Sequence, residues 1–251
     1  MNKLQLILFA LLITAAGLYG QSADEIVNRA DEAFKGNRIY STSTMTVYLS
    51  DEAQPVQKIE GYTMEKDGKS YSLSIYVEPR RMKGTANLMI EDDLWVRFSS
   101  TGRVRKLSSS AKKNSAGGSD FSYADMGEGG SGLAEKYTSR LIGEEKVEGD
   151  LCHVIELTAS GSDAPYEKMV VYITKDTYRY MKIDYYESGA NIKSMSFYDY
   201  RTVNGKDYPF AYTMFNHTKP SRTEVVIEEF EVDSPKVQDR MFTTRYLETI
   251  R

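Results

Sequence analysis

The chain has 251 residues, a formal net charge of −4, 41% hydrophobic residues and a single cysteine. This mild acidity argues against nucleic acid as a partner, because phosphate binding wants a basic face. One cysteine, Cys152, excludes an intrachain disulfide, so the fold rests on its hydrophobic core even in an oxidising compartment.

Residues 1–22 read as a secretory signal peptide. Lys3 supplies the positive charge, Leu4 to Ala16 is apolar apart from Gln5 and Thr14, and small or turn-prone residues follow as far as Ala23. Cleavage is expected between Gly20 and Ala23. The apolar run is shorter than the roughly 20 residues of a membrane-spanning helix; an uncleaved anchor is the alternative. No cysteine lies near the cleavage region to accept a lipid, and the expectation is a soluble, exported, unlipidated protein. Residues 23–251 read as one domain with no internal repeat.

The spacing of Ile26, Ala30, Ala33 and Phe34 predicts a helix over Ala23 to Lys35, with Asp24 and Glu25 suited to the positive end of its dipole. Gly36 and Asn37 are the expected C-cap. Strand patterns then follow one another. Thr42 to Leu49 alternates, with Met45, Val47 and Leu49 on one face. Gln57 to Lys66 pairs with Lys69 to Val77 across Asp67-Gly68, a type I′ hairpin signal. Tyr71, Leu73, Ile75 and Val77 share one face of the second strand, and Ser70, Ser72 and Ser74 the other. Ala86 to Glu91 and Leu94 to Phe98 join at Asp92-Asp93, and a turn leads into Arg103 to Leu107. Residues 108–135 form a long polar, Gly/Ser-rich loop, the kind of segment that is functional or disordered. Further strands cover Lys136 to Val147, Leu151 to Thr158 across Gly149-Asp150, Tyr166 to Thr174, Tyr178 to Tyr186, Asn191 to Tyr200, Lys206 to Thr213 and Arg222 to Val232. A short helix is expected near Pro235 to Arg240. Many short strands with little helix between them indicate an antiparallel meander that curls into a barrel.

Several strands carry large residues on both sides, as in Met195 and Phe197 against Tyr198 and Tyr200. One face can pack on a helix while the other lines a cavity; a sandwich core without a cavity is the alternative. The 19 tyrosines suit a cavity mouth wetted at one end, or simply reflect strand preference.

Signals for catalysis are weak. The two histidines, His153 and His217, fall in a strand pattern and a turn, and neither neighbours a nucleophile motif. Cys152 and His153 are adjacent on a strand and point to opposite faces. No Cys/His cluster offers a zinc site, and no cofactor is expected. Gly127 to Gly132 lacks the Lys and Ser/Thr of a phosphate-binding loop and reads as a flexible tip. Asn216-His217-Thr218 matches a glycosylation sequon, which at this length is a weak signal. Asp92-Asp93 and Glu228-Glu229 read as turn and solvated-strand carboxylates. The basic residues Arg103, Arg105, Lys106, Lys112 and Lys113, with Arg80, Arg81 and Lys83 upstream, stand out from the acidic background. They either protect an edge strand or contact anionic headgroups or an acidic partner.

Between Pro79 and Met126 the motifs Lys83-Gly84-Thr85-Ala86, Asp93-Leu94-Trp95-Val96, Arg103-Val104-Arg105-Lys106 and Gly118-Ser119-Asp120-Phe121-Ser122-Tyr123 resemble those of outer-membrane lipoprotein-sorting proteins, relatives of the periplasmic carrier LolA and its acceptor LolB. The similarity covers most of the mature chain. It implies a mainly β (α+β) fold, a half-open antiparallel β-barrel of about eleven strands with an N-terminal helix and short lid or plug helices. It also implies a periplasmic carrier that buries acyl chains of lipoproteins or other lipids in an apolar cavity and moves them toward the outer membrane. An inner-membrane transporter and an outer-membrane acceptor are the implied partners of a monomer. By position Leu88, Ile90, Trp95 and Phe98 are the first cavity candidates and Met45, Val47, Leu73 and Ile75 the next. Trp95 and Phe98 cannot both point inward without a bulge. Arg81, Lys83, Arg103 and Arg105 are the candidate rim. A lipid- or partner-sensing module, such as an envelope-stress sensor or a transporter accessory subunit, is the alternative; a hydrolase comes third.

Overall fold

The protein is described here from a computed structural model, covering residues 21–128, 133–162 and 164–251. Apart from Gln21 and Ser22, the expected signal segment lies outside the described residues, as do Gly129, Gly130, Ser131 and Gly132 of the glycine-rich stretch.

Helix α1 (Ala23–Phe34) is started by Ser22, whose Oγ accepts the Glu25 amide at 3.1 Å. Ile26, Val27, Ala30 and Asp31 form its buried face. Its end departs from the expected glycine cap: Lys35 is extended at the C-cap. Gly36 serves a close approach instead, since a Cβ there would stand 2.6 Å from Ile39 Cδ1.

The strands are β1 (Ile39–Leu49), β2 (Glu52–Ala53), β3 (Gln57–Lys66), β4 (Lys69–Glu78), β5 (Ala86–Ile90), β6 (Asp93–Arg97) and β7 (Val104–Lys106), followed by β8 (Tyr137–Val147), β9 (Asp150–Ala159), β10 (Lys168–Thr174), β11 (Tyr180–Glu187), β12 (Ala190–Val203), β13 (Lys206–Asn216) and β14 (Ser221–Glu231). They form one antiparallel sheet of fourteen strands, more than the eleven or so anticipated, in the order β7-β6-β5-β4-β3-β1-β14-β13-β12-β11-β10-β9-β8 with β2 on β1. Two meanders thus run outward from the central β1–β14 pair, and among the described residues β7 and β8 are left as unpaired edges, which makes the curled sheet a half-open barrel.

Asp67 and Gly68 both have positive φ (53° and 71°), as a type I′ turn requires. Two other turns fall one residue earlier than expected. Ile90 pairs with Asp93, so the reversal is at Glu91-Asp92, and Val147 pairs with Asp150, so it is at Glu148-Gly149. Glu91 takes a positive φ in the first, and both Glu148 and Gly149 do in the second.

Segment 108–135 contains more regular structure than its composition suggests. It holds α2 (Ser109–Lys112), a bridge between Ser115 and Ser122, α3 (Tyr123–Glu128) and the start of α4 (Leu133–Lys136). After β14 the chain crosses the sheet again with a 3₁₀ turn (Asp239–Met241) and α5 (Thr244–Thr249), so the single helix expected near residues 235–240 is a shorter turn followed by a separate helix.

Alternation gives the sheet an inner face, packed on α1, and an outer face. On the inner side one large core joins Ile26, Val27 and Ala30 of α1 to Met45, Ile155, Leu157, Phe197 and Met214. On the outer side of β3–β6 a second core joins Leu73, Leu88 and Met64 to Val237, Met241, Phe242 and Leu247 of the C-terminal segment. That segment is tied down by the Arg38 guanidinium, which donates to the Val237 carbonyl at 2.7 Å, and by Asp239, which lies 2.6 Å from both Arg38 and Lys66.

Candidate functional site

Between the inner face and the three helices α1, α3 and α4 lies a cavity of about 330 Å³. Its two walls differ. The wall built by β10–β14 is apolar and aromatic, with Met169, Ile183, Met195, Phe197 and Tyr212 turned inward by strand alternation. Phe34 closes it from α1, edge-on to Tyr180 and Phe197 at centroid separations of 5.6 and 6.0 Å. The opposite wall, from β1, β3 and β4, brings Ser41, Ser43, Thr63 and Ser74 to the cavity alongside Met45 and Ile59.

Buried polar contacts hold the helices over this space. On α1, Asp31 is 4% exposed; it accepts the Tyr180 hydroxyl at 2.7 Å and the Leu133 amide, the first of α4, at 3.1 Å. On α3, Asp125 and Lys193 of β12 form an ion pair whose side chains are 5% and 7% exposed. Asp125 also accepts from the Tyr166 hydroxyl at 2.7 Å and the Ser122 amide at 2.6 Å, while the Lys193 ammonium lies over the rings of Tyr166 and Tyr185 at 5.0 and 5.1 Å. Burial and the neighbouring carboxylates push the hydroxyls of Tyr166 and Tyr180 well above the usual tyrosine range, so both stay protonated donors. Further along, Asp120 pins the segment before α3 to the sheet by accepting from Ser221, Thr223 and Asn216 at 2.5, 2.8 and 3.1 Å.

Among the eight apolar candidates, Met45 lines this cavity. Val47 is on the same face, paired with Thr223, but beyond the lining. Leu73, Ile75, Leu88, Ile90 and Trp95 are on the outer face: Leu73 pairs with Leu88 and Leu88 with Trp95, so all three stand on one side, under the C-terminal segment. They belong to a closed core, so the cavity is walled by other residues. Phe98 is on the inner side against Met89, Leu94 and Val96, next to Tyr123 of α3. Trp95 and Phe98 therefore point to opposite sides, as simple alternation demands. Arg81 and Lys83 are exposed in the turn between β4 and β5, and Arg103 and Arg105 are exposed at the short edge strand β7. Arg97 ties these two regions together through its bond to the Gly84 carbonyl at 2.6 Å.

The residues that sequence patterning missed are the β10–β14 wall and the two buried aspartates. A signal for the wall was present in the large side chains on both sides of β12. Nothing local distinguishes Asp31, Asp125 or Lys193 from solvated charges, because their partners are far away in sequence.

Among the described residues His217 is the histidine that meets a serine. His217 Nε2 is 2.8 Å from Ser194 Oγ, but that hydroxyl is also 2.5 Å from Asp184 Oδ1. The carboxylate accepts the serine hydroxyl instead of orienting the imidazole, so the three groups do not stand in the order of a Ser-His-Asp triad. His153 is half-buried, and burial lowers its pKa. Burial pushes the Cys152 thiol up to about 11, which leaves it protonated and unreactive at neutral pH. Among the described residues no group of three His, Cys, Asp or Glu stands together as a metal site, and no helix is long and apolar enough to cross a membrane.

No curated protein matches the sequence. The chain is similar to the structure of a domain described as an outer membrane lipoprotein-sorting protein from Vibrio parahaemolyticus, with 25% identity over 90% of this chain and 98% of that one and a TM-score of 0.83. It shares its fold with a DUF1329 family protein from Desulfovibrio piger (24% identity, 90% and 97% covered, TM-score 0.81) and with a LolA superfamily protein from Nitrosomonas europaea (20%, 90% and 100%, TM-score 0.76). A family model described only as "-like: Uncharacterized protein" matches residues 68–249, more than half of the chain. The chain belongs to that family, and its half-open barrel is the fold of the outer membrane lipoprotein-sorting and LolA superfamily proteins.

Proposed function

We propose that this protein is an envelope carrier that shields an acyl chain, of a lipoprotein or another lipid, while it crosses the periplasm toward the outer membrane. The observation that carries the reading is the apolar cavity of about 330 Å³ under α1, α3 and α4. Burying hydrocarbon is worth about 0.8 kcal/mol per CH₂, so a chain lodged there needs no covalent bond to be held. Release requires displacement of a helix or handover to a stronger acceptor, since a carrier cannot discharge against its own affinity. The exposed Arg81 and Lys83 in the β4–β5 turn, with Arg103 and Arg105 at the β7 edge, would meet anionic headgroups or an acidic face of a transporter or acceptor.

Native mass spectrometry of protein purified from its own envelope, followed by lipid extraction, tests this. The expected result is a discrete added mass released as lipid or acylated peptide. Met195→Glu places a charge in the cavity from a half-buried position, and should abolish the added mass with the far-UV circular dichroism unchanged. A wild-type protein that stays free of ligand when incubated with lipid vesicles refutes the carrier reading.

A further inference from the structure

The two walls of the cavity differ in polarity, and the polar one is organised by register. Ser41 pairs with Gly61, Gly61 with Ser74 and Ser74 with Asn87, so these four positions form one row across β1, β3, β4 and β5. Thr63 and Ser43 flank the row on β3 and β1. Gly61 is what lets the row reach the cavity. A Cβ there would stand 2.7 Å from Ser41 Oγ, so only glycine leaves that hydroxyl its place. The hydroxyls of Ser41, Ser43 and Thr63 hold no partner among the described residues. Ser74 Oγ accepts from Asn87 Nδ2 at 3.3 Å, which leaves the serine proton free to be donated. Asn87 is 6% exposed and its Oδ1 is buried without a partner. Of these groups Asn87 Oδ1 is the buried atom without a partner; Ser41, Ser43 and Ser74 are half-buried and Thr63 is exposed, so their hydroxyls are open to an occupant of the cavity, and a wall lined by them suits a polar one. A wall meant only for bare hydrocarbon would carry valine or alanine at Ser41, Ser43 and Ser74, whose half-buried hydroxyls lose hydration when a chain covers them.

Size restricts the occupant further. Ligand cavities span about 300–1,000 Å³, and this one, at about 330 Å³, is at the low end. Widening it would mean pulling α3 from the buried Asp125–Lys193 pair or α4 from Asp31.

We propose that the cavity accepts one single-chain amphiphile, with its carbonyl, ester or hydroxyl group against Ser41, Thr63 and Ser74 and its chain on the Phe34–Phe197–Tyr212 wall. This rests on the carrier reading and names its cargo class: a fatty acid or monoacyl lipid, in preference to a lipid with two or three chains.

The test is a binding series on the full mature protein with palmitic acid, a palmitoyl lysophospholipid, a dipalmitoyl phospholipid, a triacylated lipopeptide and the uncharged hydrocarbon probe diphenylhexatriene. Wild type should bind one palmitic acid or lysophospholipid per chain, at least tenfold more tightly than either multi-chain lipid. Thr63→Val and Ser74→Ala should each weaken palmitic acid about three- to tenfold, the loss of one neutral hydrogen bond, with diphenylhexatriene unaffected. Equal or tighter binding of the two- or three-chain lipids overturns the inference and leaves the carrier reading standing. Loss of palmitic acid and diphenylhexatriene together in both variants overturns the polar seat, because the hydroxyls would then be structural. Binding of no probe at all by the wild type overturns the carrier reading itself.

Discussion

Replacing Asp125 with alanine is the sharpest test of how the lid helix is held. The carboxylate accepts from the Tyr166 hydroxyl and the Ser122 amide and pairs with Lys193, and both charged side chains are less than a tenth exposed. Removing one partner leaves the Lys193 ammonium buried with only the faces of Tyr166 and Tyr185 to answer its charge. Breaking a buried pair in this way costs about 3–5 kcal/mol. For a domain of this size roughly 2–4 °C of melting temperature is lost per kcal/mol, so Asp125→Ala should melt roughly 10 °C lower. Urea unfolding followed by far-UV circular dichroism gives the free energy directly. The double variant Asp125→Leu with Lys193→Met removes both charges and should recover most of the loss, since well-packed apolar replacements of buried pairs are often neutral. Strong non-additivity between the two sites is therefore expected. If Asp125→Ala costs less than about 1 kcal/mol and the two substitutions simply add, the pair is solvated in solution and α3 is not latched by it.

Two further outcomes separate the two faces of the sheet and the tail that covers one of them. Leu88 is fully buried in the outer core, so Leu88→Ala should cost about 2–5 kcal/mol of stability while leaving lipid affinity unchanged; a folded variant with affinity down more than tenfold would return the outer face to a binding role. Asp239 is held at about 2 by its bonds to Lys66 and Arg38. Its folded pKa lies below its unfolded value, so its stabilising contribution is complete above about pH 4 and is lost as the pH falls toward 2. Asp239→Asn should be less stable than wild type at pH 6, with the gap narrowing across that acid window in urea titrations; a gap independent of pH would show that the carboxylate charge does not anchor the tail.

Strand existence was legible because period-two alternation is a local property, and the Asp67-Gly68 hairpin because its turn residues are specific. The identity of the inner face was not. Alternation divides β4 into a Leu73–Ile75 side and a Ser74–Tyr76 side, and the apolar side is the natural choice for a cavity. The structure reverses this because the C-terminal segment covers the apolar side: Val237, Phe242 and Leu247 make the outer face of β3–β6 a closed core. Nothing within β4 or β5 records that a segment more than 140 residues later will pack on them. The same reason hides the structure of residues 108–128. Their Ser/Gly composition reads as loop, yet Asp120 is fixed by Asn216, Ser221 and Thr223, about a hundred residues away.

These placements also decide how the cavity can open. Helix α3 touches both halves of the barrel but by different chemistry. Tyr123 packs on the apolar Met89, Leu94 and Val96 of β5 and β6, whereas Asp125 reaches the opposite half through Lys193 of β12. Separating α3 from β5 and β6 exposes apolar surface to water, a loss that nothing refunds. Parting Asp125 from Lys193 exposes two charges that water solvates, so much of the lost attraction is recovered on opening. The polar side is therefore the weaker seam, and an opening is expected to part α3 from β12 while it stays on β5 and β6. An opening in that direction uncovers the Tyr166–Tyr185 end of the cavity and leaves the Ser41–Ser74 row in place.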